Sequence, residues 1–518
     1  MKRNSLMLAG LLAVAGSAQA ANTVKFFGAG ATAMIETMRI AAGESTGLPQ
    51  FPAVATDPRY SAYRVQLRVT ENDGTNNSGP GWIVVKGDVG NRDVWAYASL
   101  DSTVGVRCYF KSATITQITT VGTAANPFGI ETSPANSGPG LIINEAIDVP
   151  TDVQTLLIGK SVDAGISDIT PIDAKATTAE QLAAGYNNTT NPIKGYDGNG
   201  LPNGATNVVD FNLAARPFNI KEIGAAPLLA FVNKQDATPG GFGAYASTGL
   251  NINLQQLAGF YDGTFKSTTD IILDSAVTGK PVVSVQREQL SGTYVTFEYC
   301  VLRSLRNNSS QEALVDPLGG ALNEAGWSRT NTSYTAGQFT QGGRLRGSGG
   351  TSVVRAASRT PNAIGYSFWS TGTFGGQTAA NTFYLTVDGV DPIRDSYGNG
   401  SYPTSSSEIT FKNVKNGSYP IWSFIRGIVS PTAGASILDM LNQATISADT
   451  TNLIPLTQMR VFRSHRTVPE FMGSTIASNG IAPGTVATGA DAGGLVFSIN
   501  AEENYFASTG VELTERRQ

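Results

Sequence analysis

Apolar positions along the chain fall into short runs of strand length, alternating with stretches at helical spacing. Residues 24–27 form a short apolar run, 28–33 (GAGATA) a turn of small residues, and 34–42 an amphipathic helix. Residues 97–105 (YASLDSTVG) pass from strand pattern into a hydroxyl-rich turn, and 164–169 (AGISDI) end an apolar run on a carboxylate. A buried strand is predicted at 227–233 (PLLAFVN), strand-like segments lie at 361–369 (PNAIGYSFW) and 419–429 (YPIWSFIRGIV), and 281–285 (PVVSV) feeds directly into Arg287. Helices are predicted at 254–264, which exits through a glycine, from 294 to 305, and at 435–446. No repeat of fixed period is present. The alternation predicts an α/β fold.

The N-terminus adds a location. Lys2 and Arg3 precede an uncharged apolar run at 6–16, and Ala18-Gln19-Ala20 is a small-x-small cleavage site, so residues 1–20 read as a bacterial secretory signal peptide. That apolar run is too short to span a bilayer, and no other run reaches that length. With no Cys near the cleavage site, no lipid anchor is expected. The mature chain is expected in the periplasm or outside the cell.

Length and charge narrow the class. At 518 residues the chain exceeds what one core supports, and two or more domains are expected. The net charge of −4 becomes −6 once Lys2 and Arg3 are removed, and without a basic run a nucleic-acid partner is disfavoured. Gly at 58 positions, with only 15% charged residues, implies long ordered loops and β-rich insertions on a globular frame.

Two counts exclude chemistry. His465, in the run Arg463-Ser464-His465-Arg466, is the sole histidine, so a multi-His metal site is impossible and any Ser-His-Asp triad would need that one loop imidazole. Neither a metal nor another cofactor is called for. Cys108 and Cys300 could pair in an oxidising compartment, but each lies on a predicted helix of a different lobe, and two buried thiols are the expectation.

The candidate chemistry lies at 287–293, Arg-Glu-Gln-Leu-Ser-Gly-Thr, ahead of the predicted helix. Free N–H groups and partial positive charge at a helix start suit an oxyanion, Gly292 lets the backbone approach, and Arg287 can add a bidentate fork. A Ser-capped surface helix behind an incidental Arg is the plain alternative. The 28–33 turn between strand and helix is a second anion candidate. It also nearly matches the dinucleotide fingerprint, with Glu44 as the ribose ligand, although no second half-fold accompanies it.

Taken in order, GAGAT, the hydroxyl-rich turn, ISD, LAFVN, LQQLAGFYDG, VVSVQREQLSGT, PNAIGYSFW and GSYPIW resemble the phosphate-binding protein of the high-affinity phosphate ABC transporter. The resemblance covers the framework and leaves out the insertions. It implies a two-lobe periplasmic-binding-protein-like fold (type II), with crossing strands between lobes and ligand in the cleft. On that pattern residues 21–225 and 418–518 make one lobe, with insertions at about 41–96 and 109–160, and 226–417 make the other. Residue by residue, the family's ligand contacts fall on Thr32, the Ala33 N–H, Ser102, Asp168, Arg287, Ser291, Gly292 and Thr293. Three positions depart from the pattern. Ala33 replaces a Phe, DSTVG replaces a GSSGG-type turn, and Gln289 and Leu290 stand where an acid and a Gly are usual.

The residue types suit the ligand so implied. A metal-free site must match an anion with donors. A carboxylate at Asp168 can accept a hydrogen bond from a ligand that still carries a proton, as hydrogen phosphate does, and it would repel fully ionised sulfate. The plain alternative is that Asp168 caps a helix ahead of Pro171. The resemblance implies a binding protein that is not an enzyme, monomeric, with inorganic phosphate as ligand and an inner-membrane ABC permease as partner. The insertions could block that docking. An exported phosphatase on the same frame and a surface or matrix protein stay open as alternatives.

Overall fold

A computed structural model describes residues 22–45, 60–120, 149–171, 173–175, 187–188, 191–192, 211–287, 291–302, 343–347, 349–374, 381–446, 452–463 and 495–497. The proposed signal peptide, His465, Gln289 and Leu290 lie outside them. Among the described residues no helix is long and apolar enough to cross a membrane.

The core is one thirteen-stranded sheet with helices on its faces, a mixed α/β architecture. Its strands are β1 Thr23–Gly30, β2 Tyr60–Thr70, β3 Asn76–Lys86, β4 Asp93–Ser99, β5 Thr114–Thr120, β6 Ala164–Ser167, β7 Asn219–Asn233, β8 Val283–Arg287, β9 Gly343–Gly347, β10 Ala363–Phe368, β11 Thr382–Tyr384, β12 Trp422–Val429 and β13 Ile454–Pro455. The order is β9-β8-β10-β7-β12-β6-β1-β4-β3-β2-β5, and β11 and β13 also pair with β7. Helices are α1 Ile35–Ser45, α2 Ser102–Phe110, α3 Thr151–Leu157, α4 Leu254–Asp262, α5 Gly292–Phe297, α6 Gly350–Arg359 and α7 Ala435–Ile446.

The sheet has two halves that meet on β7. Its first part, Asn219 through Pro227, pairs antiparallel with β12, and its second part, Leu228 through Val232, pairs antiparallel with β10. Pro227 has no N–H to give a ladder and sits at that changeover, where its carbonyl accepts from Trp369 and the next N–H, of Leu228, reaches Ile421. Twelve successive residues of β7 are buried, as an apolar strand covered on both faces requires. The parallel trio β6-β1-β4 lies on one side and the parallel trio β10-β8-β9 on the other.

Outward from β4, the segment from Tyr60 to Thr120 builds an antiparallel meander of β3, β2 and β5, a β-rich extension of the first half. It is tied to α2 from within. Arg107 donates from Nε to Glu71 Oε1 at 2.7 Å and from Nη2 to Asn77 Oδ1 at 2.9 Å, and Asn77 Nδ2 donates back to the same Glu71 oxygen at 2.7 Å. The second Glu71 oxygen, Oε2, lies 3.6 Å from Lys111 Nζ, so a second cation adds to the buried pair. Alternation along β1 feeds two cores: Phe26 packs on one face, while Phe27 and Ala29 pack on the other.

Two expectations shift in detail. The small-residue turn begins later than its composition suggests, because β1 continues through Gly30 and only Thr32–Met34 form a 3-10 turn before α1. The helix after Ser291 starts at Gly292 and changes at Glu298–Leu302 to a π-helical turn. Cys108 and Cys300 are buried and unbridged.

Small residues let α2 lie directly on the sheet. A Cβ placed on Gly105 would sit 2.3 Å from the Gly30 Cα and 2.5 Å from the Ala29 carbonyl oxygen, both backbone atoms that cannot rotate away. Helix propensity alone would make Gly105→Ala stabilising by about 1 kcal/mol. The contact predicts the opposite sign, a loss of about 1–3 kcal/mol in denaturant unfolding as the helix is forced off the sheet. A variant as stable as the parent would contradict this packing.

Candidate functional site

The ends of β1, β4, β6 and β8 converge where the two halves of the sheet face each other. Gly30 starts the arrangement with φ +143°, a conformation side chains rarely adopt, and its carbonyl accepts from the N–H groups of Leu100 and Asp101. The Ala31 N–H donates to Ile166 at 2.8 Å, so the chain leaving β1 is pinned between the turns after β4 and β6. Thr32, Ser102 and Asp168 follow directly from these three turns.

Asp101 occupies the position before α2 with φ 96° and ψ 155°. That region is essentially reserved for glycine, and a non-glycine residue there costs of order 1–3 kcal/mol. The side chain does not cap the helix. Its Oδ1 instead accepts from Arg287 Nη2 at 2.5 Å, across from the other half of the sheet, with both side chains almost fully buried. Arg287 also donates from Nη1 to the Gly347 carbonyl at 2.8 Å, while its own N–H donates to the Tyr366 hydroxyl at 3.3 Å. Tyr366 stacks on Phe297 of α5 with ring centroids 3.9 Å apart, and Tyr261 closes edge-on against both rings. The aromatic group thereby ties the end of β8 to the last residue of α5.

The start of α5 meets the first half of the sheet at Gly292. A Cβ there would lie 1.6 Å from Asp168 Oδ1 and 2.9 Å from the Ser102 Cβ, so only glycine admits the carboxylate so close to the helix. Val295 and Tyr294 of α5 pack into the core of the first half. Ser291 is buried and its Oγ accepts from the Thr293 N–H at 3.2 Å.

Several buried polar atoms at this junction have no hydrogen-bond partner among the described residues: Thr32 Oγ1, Thr103 Oγ1, Asp101 Oδ2 and Asp168 Oδ1. Each such atom ordinarily costs about 1–3 kcal/mol. By helix geometry the first N–H groups of α2, from Ser102 onward, also lack an intrahelical partner. Hydroxyls, N–H groups, a guanidinium and carboxylate oxygens together can surround a small tetrahedral oxyanion that still carries a proton.

Asp168 does not cap a helix here. In the short helical turn that follows, Thr170 and Asp173 cap each other, with Thr170 Oγ1 donating to Asp173 Oδ2 at 2.6 Å and the Asp173 N–H donating back at 3.2 Å. The Asp168 carbonyl accepts from Ser423 Oγ at 2.6 Å, which fixes the backbone and leaves the carboxyl facing Gly292. Burial pushes the Asp168 carboxyl up to about 6; a hydrogen bond from Ser102 opposes the rise, the Asp101 charge adds to it and Arg287 opposes it. Tyr97, whose hydroxyl donates to the Ala31 carbonyl at 2.8 Å, is held well above its usual range by burial and by the same two carboxylates.

The structure thus brings Ser102, Asp168, Arg287 and Gly292 into one cluster, with Ser291 and Thr293 flanking Gly292. Thr32 and Ala33 lie at the adjoining turn, Ala33 half-buried. Asp101 is the member that sequence reasoning missed. Its signal was present in DSTVG, where an acid stands at a position that calls for glycine. Among the described residues no group of His, Cys, Asp and Glu could hold a metal ion.

No protein-family model matches the chain, and no curated protein matches it. Among solved structures it is similar to a phosphate-binding protein from Stenotrophomonas maltophilia, with 12% identity over 84% of this chain and 91% of that one and a TM-score of 0.36. It is also similar to a possible phosphate binding protein from Planctomyces limnophilus DSM 3776, with 9% identity over 89% of this chain and 99% of that one and a TM-score of 0.33. A human phosphate binding apolipoprotein is a third, with 14% identity over 83% of this chain and 91% of that one and a TM-score of 0.34.

The buried carboxyl predicts a pH dependence of stability. A group whose folded pKa lies above its unfolded value of 3.8 binds more protons when folded, so stability falls as pH rises from about 4 and levels off above about 6. A shift of that size corresponds to about 3 kcal/mol. Chemical denaturation of the ligand-free protein at pH 4.5 and pH 7 is expected to show a decline that Asp168→Asn largely removes. An unchanged slope in the variant would mean that Asp168 is solvated and charged in the folded protein.

Proposed function

We propose that the protein is an exported solute-binding protein that holds inorganic phosphate, with arsenate as a close analogue, between two lobes. In this reading residues 21–225 with 418–518 form the first lobe and 226–417 the second, with β7 and the segment leading into β12 as the crossing strands. The observation that carries it is the junction of Arg287 and Gly292 from one side with Asp101, Ser102 and Asp168 from the other, where buried polar atoms lack partners. Arg287 supplies charge. Thr32, Ser102, Ser291 and Thr293 supply hydroxyls, and the N–H groups at Ala33 and Gly292 supply backbone donors. Asp168 Oδ1 accepts a hydrogen bond from a ligand O–H, a donor that sulfate at neutral pH does not have.

The motif order in the sequence supports the same ligand. The role implies an inner-membrane permease as partner and a monomer in the periplasm. The β2-β3-β5 extension adds surface beside the first lobe, and a permease that docks there must accommodate it.

Calorimetric titration of phosphate-stripped protein at neutral pH tests the reading. Phosphate and arsenate are expected to bind, with sulfate weaker by a wide margin. Arg287→Ala is expected to cost about 2–5 kcal/mol of phosphate affinity, and Arg287→Lys to recover only part, since an ammonium lacks the planar fork. Asp168→Asn is expected to move the phosphate-to-sulfate ratio toward sulfate. Equal binding of sulfate and phosphate by the parent protein would refute the reading. Hydrolysis of a chromogenic phosphate ester, lost in Ser102→Ala, would instead make the protein a phosphatase.

A further inference from the structure

Asp101 has no place in a plain oxyanion site, yet the fold accepts a strained backbone to keep it there. Its φ of 96° and ψ of 155° suit glycine, its side chain leaves the helix uncapped, and it is 2% exposed. One oxygen engages Arg287 while Oδ2 lies buried without a partner among the described residues. Asp168 presents a second such oxygen, Oδ1, against Gly292. Two unpartnered carboxylate oxygens in one buried cluster ask for two hydrogen-bond donors.

The charge balance agrees. The groups facing Asp101 are Arg287 on β8, Asp168 after β6 and Tyr97 on β4. Those facing Asp168 are Asp101 and Ser102 at α2, Arg287, Tyr97, and Arg426 on β12, which donates to the Asp168 carbonyl at 3.4 Å and lies opposite Glu222 on β7. Among the described residues, with both acids ionised, the one guanidinium that faces both carboxylates leaves them in excess by one charge. A doubly charged anion meets net repulsion there, and a singly charged one meets much less.

Resting on the phosphate reading of this site, we propose that Asp101 makes it selective for the doubly protonated, singly charged form of a tetrahedral oxyanion, dihydrogen phosphate or dihydrogen arsenate. One ligand O–H donates to Asp168 Oδ1 and the second to Asp101 Oδ2. The remaining ligand oxygens accept from Arg287 and the neighbouring hydroxyls. The pair Asp101–Arg287 stays formed with ligand bound, so the guanidinium is shared between carboxylate and ligand.

The consequence is proton uptake. At about pH 8 free phosphate is mostly dianionic, so each binding event takes up about one proton, and affinity falls about tenfold per pH unit on the alkaline side. An acceptor at Asp168 alone would bind the dianion as it stands, with no uptake. Titrations of phosphate-stripped protein with inorganic phosphate from about pH 6 to about pH 8.5, in buffers of different ionisation enthalpy, separate the two. The parent is expected to show the steep slope and an uptake near one proton. Asp101→Gly, which relieves the backbone, and Asp101→Asn, which keeps the shape, are each expected to flatten the slope and to bind phosphate at least tenfold more tightly than the parent at the alkaline end. Phosphate binding by the parent without proton uptake, or an equal slope in parent and variants, overturns the role of Asp101 and leaves the phosphate site standing. Absence of phosphate binding by the folded parent at every pH overturns both.

Discussion

The ion pair between Asp101 and Arg287 is the constraint on which the rest of the site depends. It joins the end of β8 to the start of α2 across the two halves of the sheet, with both groups out of water. Removing either partner from such a pair leaves a buried charge uncompensated, at a cost of roughly 3–5 kcal/mol. The surroundings are arranged to hold it. Gly347 takes a second guanidinium N–H, Tyr366 takes the Arg287 backbone N–H, and the Gly30 carbonyl takes the Asp101 N–H.

Close backbone packing makes that geometry available. Gly105 seats α2 against Gly30, and Gly292 seats α5 against Asp168, so two helix starts from different halves approach within van der Waals contact of one cluster of side chains. β7 supplies the continuity. A strand that pairs with β12 along its first part and β10 along its second joins the two halves in one sheet. The meander beyond β4 reinforces α2 from the other side, through the Arg107, Glu71 and Asn77 network.

Much of the framework was legible in the sequence because local chemistry and tertiary structure agree. α7 spans Ala435–Ile446, as its periodicity predicted. α4 is bounded by an Asn253–Gln256 capping box and by Gly263 in the left-handed conformation, both visible as residue types. Asp168 and the residues around Gly292 were legible as candidates through motif order. β7 was only half legible: residues 227–233 form an apolar run, whereas 219–226 mix Lys221 and Glu222 into a strand that tertiary pairing with β12 extends. Asp101 was legible only as an acid where the turn calls for glycine; its role comes from a partner 186 positions away, which sequence pattern does not report.

A crystal structure of the phosphate-loaded protein tests the central claim most directly. The account places one tetrahedral anion at the junction, bonded to Arg287, to the hydroxyls of Thr32, Ser102 and Ser291, and through its own protons to Asp168 Oδ1 and Asp101 Oδ2, with the Asp101–Arg287 pair intact. A phosphate bound elsewhere on the molecule, or at the junction without contact to Arg287 and Asp168, would contradict it.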